Sequence, residues 1–284
     1  MHPRSEAIPD CGTSISWNKG EHRRKFLKCS GVHLDKKQKR QHEEIVFWGE
    51  WEPESKVVGE LEPGLKQGPR YVYEPYYVIP KPACYKILQN TDPFVFGSAF
   101  RYSLCQQPSH PSLRNFEEGS VILFGSHIDG DFALDTVFVV SDDYVDYSPR
   151  DYGSLLQQVD ETYKIVTVNP ILTQMGDANS KTSAGKNISG TLRSYRGATC
   201  DKPVDGMFSF FPCQAYTEDS LGFARPTIRM RGLISDNQTQ GIKITECNGG
   251  NDIRNHWKAV VDQVTRKCDL GILAEMPKER KSNL

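Results

Sequence analysis

At 284 residues, with 37% hydrophobic and 25% charged side chains, the chain can bury a sizeable core and is too apolar for a disordered polymer. Thirty-five basic against 36 acidic residues leave a formal charge of -1, which excludes a basic coat over the whole surface and requires any polyanion site to be local. The 23 glycines and 17 prolines point to short strands joined by many turns.

Residues 1–10 hold no apolar signal core, and no apolar run approaches the roughly 18 residues of a membrane helix. The cytoplasm is the expected compartment, with no membrane partner. The eight cysteines are scattered singly, so reduced thiols are expected rather than disulfide staples. Cys11, Cys29 and His33 could be drawn into a zinc site, but no C-x-x-C pair anchors one. Neither a metal nor a cofactor is expected.

In chain order, the first feature is basic: Lys19, Arg23, Arg24, Lys25, Lys28, Lys36, Lys37, Lys39 and Arg40 stand against Glu21 and Asp35. Residues 1–42 are therefore predicted to form a basic segment packed on or flanking the core, and residues 43–284 a single α+β domain. Glu44–Glu52 reads as a strand leaving a core. Within it, Trp48 and Trp51 cannot share a strand face, so one at least is expected to be exposed. The segment 47–55, FWGEWEPES, sets flat rings beside carboxylates such as Glu50. A nucleobase pocket needs that pairing, a ring to stack on and a polar group to read or attack; aromatics at strand spacing are also ordinary core.

Tyr71–Ile79 reads as a second strand whose Pro75 places it at an edge or a bulge. Asn90-Thr91-Asp92-Pro93 is a polar turn opening into an apolar strand, Phe94–Phe100; it suits an acid at a pocket mouth or a simple turn. Ser120–Gly125 and Phe132–Ser141 form the clearest strand pair, a β-hairpin turning through 126–131. His127, Asp129, Asp131 and Asp135 would crowd at its end, where carboxylates can titrate abnormally or bind a cation, although aspartate also forms turns readily. Asp135 stands apart, between Leu134 and Thr136 in an apolar strand. An unpaired charge there costs several kcal/mol, so it needs a backbone or arginine partner or a chemical task.

Pro149–Tyr163 reads as a helix with Leu155, Leu156 and Val159 on one face, followed by a strand, Lys164–Val168. A mobile loop is expected near residues 174–200, poorest in apolar residues between Gly176 and Gly190. Its Lys181, Lys186, Arg193 and Arg196 could clamp phosphates, or it could be a solvated linker. Gly206–Cys213 and Gly222–Arg231 set aromatics and spaced arginines, Arg225 among them, on successive strands or turns, where arginine could grip phosphate. Asp252–Lys267 is an amphipathic helix with Ile253, Trp257, Val260, Val261 and Val264 inward, and Leu270–Ala274 a closing strand. The fold expected is a strand-rich α+β arrangement: a mixed or antiparallel sheet, or a partly open barrel, with a few flanking helices.

The stretches FWGEWEPES (47–55), NTDPFVFGS (90–98), FGSHIDGDFALDTVFVV (124–140) and GFARPTI (222–228) together resemble a bacterial protein group associated with nucleotide modification and phage defence, over residues 40–235. The resemblance implies action on modified nucleobases and transfers no catalytic residue. The expected function is hydrolysis of the N-glycosidic bond of such a base in nucleic acid, with DNA as the expected partner, in the manner of a DNA glycosylase. Asp135, Asp129 and Glu50 are the carboxylates expected to activate water and stabilise the cationic sugar. Trp48 and Trp51 would hold the base, and His127, Lys181, Lys186, Arg193, Arg196 and Arg225 would complete the substrate site. The alternative is a reader that cradles a modified base without transforming it, similar to the PUA, ASCH and EVE groups. Both require the hairpin end and the tryptophan-bearing strand to converge.

Overall fold

The computed structural model describes residue 6 and residues 24–61, 68–79, 91–148, 150–170, 172, 190–219, 222–230, 233–234, 245–247 and 249–281. Its organising unit is a hairpin of β1 (Lys25–Leu34) and β2 (Arg40–Gly49), paired without interruption from Lys25 opposite Gly49 to Leu34 opposite Arg40. Asp35 secures the turn, its carboxylate accepting the backbone N–H groups of Lys37 and Lys39 at 2.8 and 2.9 Å.

The second half of the basic segment is thus a central strand rather than a flank, and the boundary expected at residue 42 falls inside β2. The physical reason is that its cations are interleaved with Phe26, Leu27, Val32 and Leu34, which have the spacing of a strand buried on both faces. β3 (Ser55–Glu60) and β4 (Tyr71–Tyr77) follow, with β4 antiparallel to β3 and parallel to β1 through Val72 and Tyr73. Pro75 does not make β4 an edge. It lies between the positions that pair with β1 and the Tyr76–Tyr77 pairing with β12 (Lys278–Glu279), where the absent N–H is not called upon. β9 (Phe211–Ala215) and β11 (Asp269–Ala274) close a ring, β2 to β9 to β11 and back to β1 at Gly31–Leu34. The ring stops short of a regular barrel.

A second sheet holds the expected hairpin, β6 (Val121–Ile128) and β7 (Asp131–Tyr147), joined by β8 (Leu192–Gly197), β5 (Arg101–Tyr102) and β10 (Thr227–Ile228). Its turn is tighter than expected. Asp129 (φ 52°) and Gly130 (φ 89°) make a two-residue connection with both residues left-handed, the geometry that suits twisted strands and favours Asp-Gly. At a bulge in β6, a Cβ on Gly125 would lie 2.2 Å from the Ala133 carbonyl oxygen, so the strands approach closely only because this residue has no side chain.

Alternate residues of the central strands feed two cores. Leu27, Ile45, Phe47 and Phe138 enter one, with Trp51, Phe96 and Tyr163. Phe26, Val46, Trp48, Val137 and Val139 enter the other, with Phe210, Phe223 and Trp257. A sheet covered on both sides explains the unbroken apolar run Ile45–Trp48.

The helical elements are fewer and shorter than the periodicity suggests. The helix expected over Pro149–Tyr163 is broken at Val159, whose backbone is extended, into α1 (Gly153–Gln158) and α2 (Glu161–Tyr163). Lys164–Val168 is a single π-helical turn and not a strand: no strand pairs with this β-branched run, so its backbone groups are satisfied within the segment while Val166 and Val168 enter the first core. Phe94–Phe100 likewise forms isolated bridges, Phe94 to Arg101 and Phe96 to Ala274, instead of a strand. The last helix, α3 (Gly250–Thr265), buries Trp257, Val260 and Val264 in the second core and leads into β11 as the pattern implied. Among the described residues no helix is long and apolar enough to cross a membrane.

Candidate functional site

Where the two sheets meet, charged side chains from five chain segments converge on the guanidinium of Arg24. It donates from Nε to Asp135 Oδ2 at 3.0 Å and from Nη1 to Glu50 Oε2 at 2.7 Å. Arg225 Nη1 reaches the other Asp135 oxygen at 3.3 Å and Ser126 Oγ at 3.0 Å, with its guanidinium 5.5 Å from the centre of the Trp48 ring. Arg24 and Asp135 are 1% and 2% exposed; Glu50 and Arg225, at 9% and 8%, are the members nearest solvent. Two cations against two carboxylates make the cluster neutral by formal count.

Burial opposes the charge on Arg24, but the carboxylates of Asp135 and Glu50 outweigh it and hold the guanidinium above the ordinary arginine range. For Arg225 the balance goes the other way. Burial first, then the proximity of Arg24, pulls it below that range, although Asp135 works to raise it. A guanidinium fits this place better than an ammonium because its planar fork can serve two acceptors and stack on an indole at once.

Asp92, from the polar turn before Phe94, is buried within electrostatic range of Glu50. Its carboxyl faces the backbone N–H groups of Ser103 (2.9 Å), Leu104 (2.7 Å) and Cys105 (2.5 Å), and so staples the chain after β5. Burial pushes its pKa up to about 7; the three N–H donors pull against that, and Glu50 adds to it. Beside it the Cys105 thiol is raised to about 12, chiefly by burial, which makes it a poor nucleophile.

Of the residues expected to act together, the structure unites Glu50, Asp135, Arg225 and Trp48. The tryptophans are not stacking surfaces. Trp48 donates from Nε1 to the Phe223 carbonyl (2.7 Å), and Trp51 to those of Glu54 (2.9 Å) and Tyr76 (3.2 Å). They are 4% and 1% exposed, because opposite faces of the β1–β2 pair are both covered. Asp129 sits in the hairpin turn and Asp131 is bonded to Arg229 at 3.0 Å, both four or more positions along β7 from Asp135, on the order of 13 Å of strand. The acidic turn is therefore separate from the acid within the strand. His127 packs edge-on against Phe132 at 5.6 Å, and its buried Nδ1 has no hydrogen-bond partner among the described residues.

Arg193 and Arg196 lie in β8, beside the far end of β7, and not on a loop. Arg193 forks onto Asp146 at 2.7 and 2.8 Å over the Tyr144 ring, and Arg196 meets Asp143 at 3.2 Å. Both are engaged with acids of the neighbouring strand and stand away from the Arg24 cluster. Lys181, Lys186, Cys11 and most of the expected mobile loop fall outside the described residues. Cys29 is a buried thiol raised to about 12, chiefly by burial, and His33 is held by Glu43 (2.9 Å at Nε2), with Asp269 3.2 Å from Nδ1. Among the described residues, no three histidine, cysteine, aspartate or glutamate side chains form a group able to hold a metal.

Arg24 is the member that sequence reasoning missed. It was one cation in a basic block, and the available signal was its place at the head of the apolar alternation Phe26–Leu34, where a charge must enter the core. Comparison with protein-family models, with curated proteins and with solved structures returns no match to this chain.

Proposed function

We propose that this protein acts on nucleic acid, engaging one nucleobase, a modified one in the leading reading, and hydrolysing its N-glycosidic bond. The observation that carries the reading is that Glu50 and Asp135, from different sheets, share one buried guanidinium. In a site shielded from water, a carboxylate is held close to where a cationic sugar would need stabilisation. Glu50, the more exposed of the two, is the group that would orient the attacking water, with Arg24 keeping it ionised and fixed. Asp135 positions Arg24 and Arg225 and does not touch substrate. The resemblance of four segments to proteins associated with nucleotide modification supports the substrate class.

The test is release of free base from plain and base-modified duplex and single-stranded DNA, with alkali revealing abasic sites. Activity in the wild type that falls at least 100-fold in Glu50→Gln, with retained binding, is the expected result. Intact strands across the whole panel would refute the enzyme. A second reading, a non-catalytic reader, is favoured by the engagement of both Asp135 oxygens with guanidinium groups, which satisfies that carboxylate without any reaction. Saturable binding unchanged by Glu50→Gln, and without base release, would select it.

A further inference from the structure

Lys25 neighbours Arg24 in sequence but points to the opposite face of the β1–β2 pair, toward the first core. It is 6% exposed. Its Nζ donates to the Pro53 carbonyl at 2.9 Å and lies 5.9 Å from the centre of the Tyr73 ring. Glu52 and Glu54 act on it through space, yet among the described residues no carboxylate forms an ion pair with it. Burying an ammonium with so little compensation favours the neutral amine. Burial pulls its pKa down to about 7 even though Glu52 and Glu54 favour the charge, so the lone pair is free in a large share of molecules at neutral pH.

The cover over this amine is thin. It consists of the connection from β2 to β3, in which Pro53 is buried, Glu52 half-buried and Glu54 exposed. Lys25 pairs with Gly49, whose next residue is Glu50, so the amine and the Arg24 cluster occupy the same end of one strand pair. A lysine whose only task was packing could be replaced by an apolar chain at lower cost; an amine kept neutral beside two carboxylates is what imine chemistry requires.

We propose that Lys25 is a nucleophile that condenses with a sugar aldehyde. Taken together with the proposed base removal, on which this identification of the substrate rests, the aldehyde is the C1 carbonyl of ring-opened abasic deoxyribose. The Nζ lone pair attacks C1, and the carbonyl π pair moves to oxygen. The nitrogen gives up a proton to Glu52 or Glu54 as the oxygen gains one. The resulting carbinolamine then expels its hydroxyl group, protonated by the same carboxyl, as water, and the nitrogen lone pair closes the C=N bond. Atoms and electrons balance without oxidant or reductant.

The experiment uses the full chain with a duplex oligonucleotide carrying one abasic site, trapped with sodium borohydride and mapped by peptide mass spectrometry. The expected result is a covalent adduct on the Lys25 peptide whose yield rises between pH 6 and 8. It should drop at least tenfold in Lys25→Met and persist in Lys28→Met, which removes a more exposed lysine of the same strand. No adduct, an adduct spread over other lysines, or one undiminished in Lys25→Met overturns the proposal. Should Lys25→Met fail to fold, mapping on the unmodified chain still decides. Trapping of abasic DNA without base release from intact DNA would sink the hydrolase and leave Lys25 standing; base release with no trapped adduct would do the reverse.

Discussion

Replacing Arg24 with methionine tests whether the ionic cluster is one unit. The substitution keeps much of the aliphatic stem and removes two charge-assisted hydrogen bonds, at 2.7 and 3.0 Å, between groups that are at most 9% exposed. Such bonds contribute about 1.5–3 kcal/mol each, and breaking a buried ion pair by deleting one partner costs about 3–5 kcal/mol. Asp135 would keep Arg225 at 3.3 Å, whereas Glu50 would lose the cation that holds it, so the expected destabilisation is about 3–5 kcal/mol. Urea unfolding followed by tryptophan fluorescence is the assay, since Trp48 lies beside the cluster and Trp51 follows Glu50 directly. The coupling is as informative as the loss. Glu50→Gln should cost less in the Arg24→Met background than in the wild type, by about 1–3 kcal/mol. A destabilisation under about 1 kcal/mol with additive double-mutant energies would refute the reasoning, because it would mean that water replaces Arg24 freely.

Asp92 supplies a pH-dependent counterpart. An acid whose folded pKa is raised from 3.8 to about 7 binds an extra proton in the folded state between those values, so its contribution to stability falls as pH rises through that window. Relative to Asp92→Asn, which does not titrate, the wild type should lose on the order of 4 kcal/mol between pH 4 and 7 and change little above. Thermal melts across that range check this, and a flat difference would show that the three N–H donors keep the folded carboxylate ionised throughout. Gly125→Ala should destabilise by about 1–3 kcal/mol, since the added methyl meets the Ala133 carbonyl and must push the two strands apart. Chemical denaturation measures it, and an unchanged midpoint would mean that the bulge yields without cost.

Much of the framework was legible in local pattern. The hairpin about Asp129-Gly130 could be read because its signal lies in adjacent residues: two β-branched runs and a turn that only Asp-Gly-like pairs adopt cheaply. Helix Gly250–Thr265 was readable from the spacing of Trp257, Val260 and Val264. The run Lys164–Val168 was not, because β-branched residues favour strands only where an edge is free to pair with them. Trp48 and Trp51 misled for a related reason. Alternation places them on opposite faces but does not say that a core lies against each.

What the sequence determined by itself is the strand-rich α+β class, the hairpin, the last helix and the demand that Asp135 find a partner, all consequences of residue chemistry acting over a few positions. Only the tertiary structure decided which partner answers. Arg24 lies 111 positions from Asp135 and 26 from Glu50, and Arg225 lies 90 from Asp135. Charges so distant in the chain meet because two sheets pack face to face, and once water is excluded between them each buried charge must find its opposite nearby.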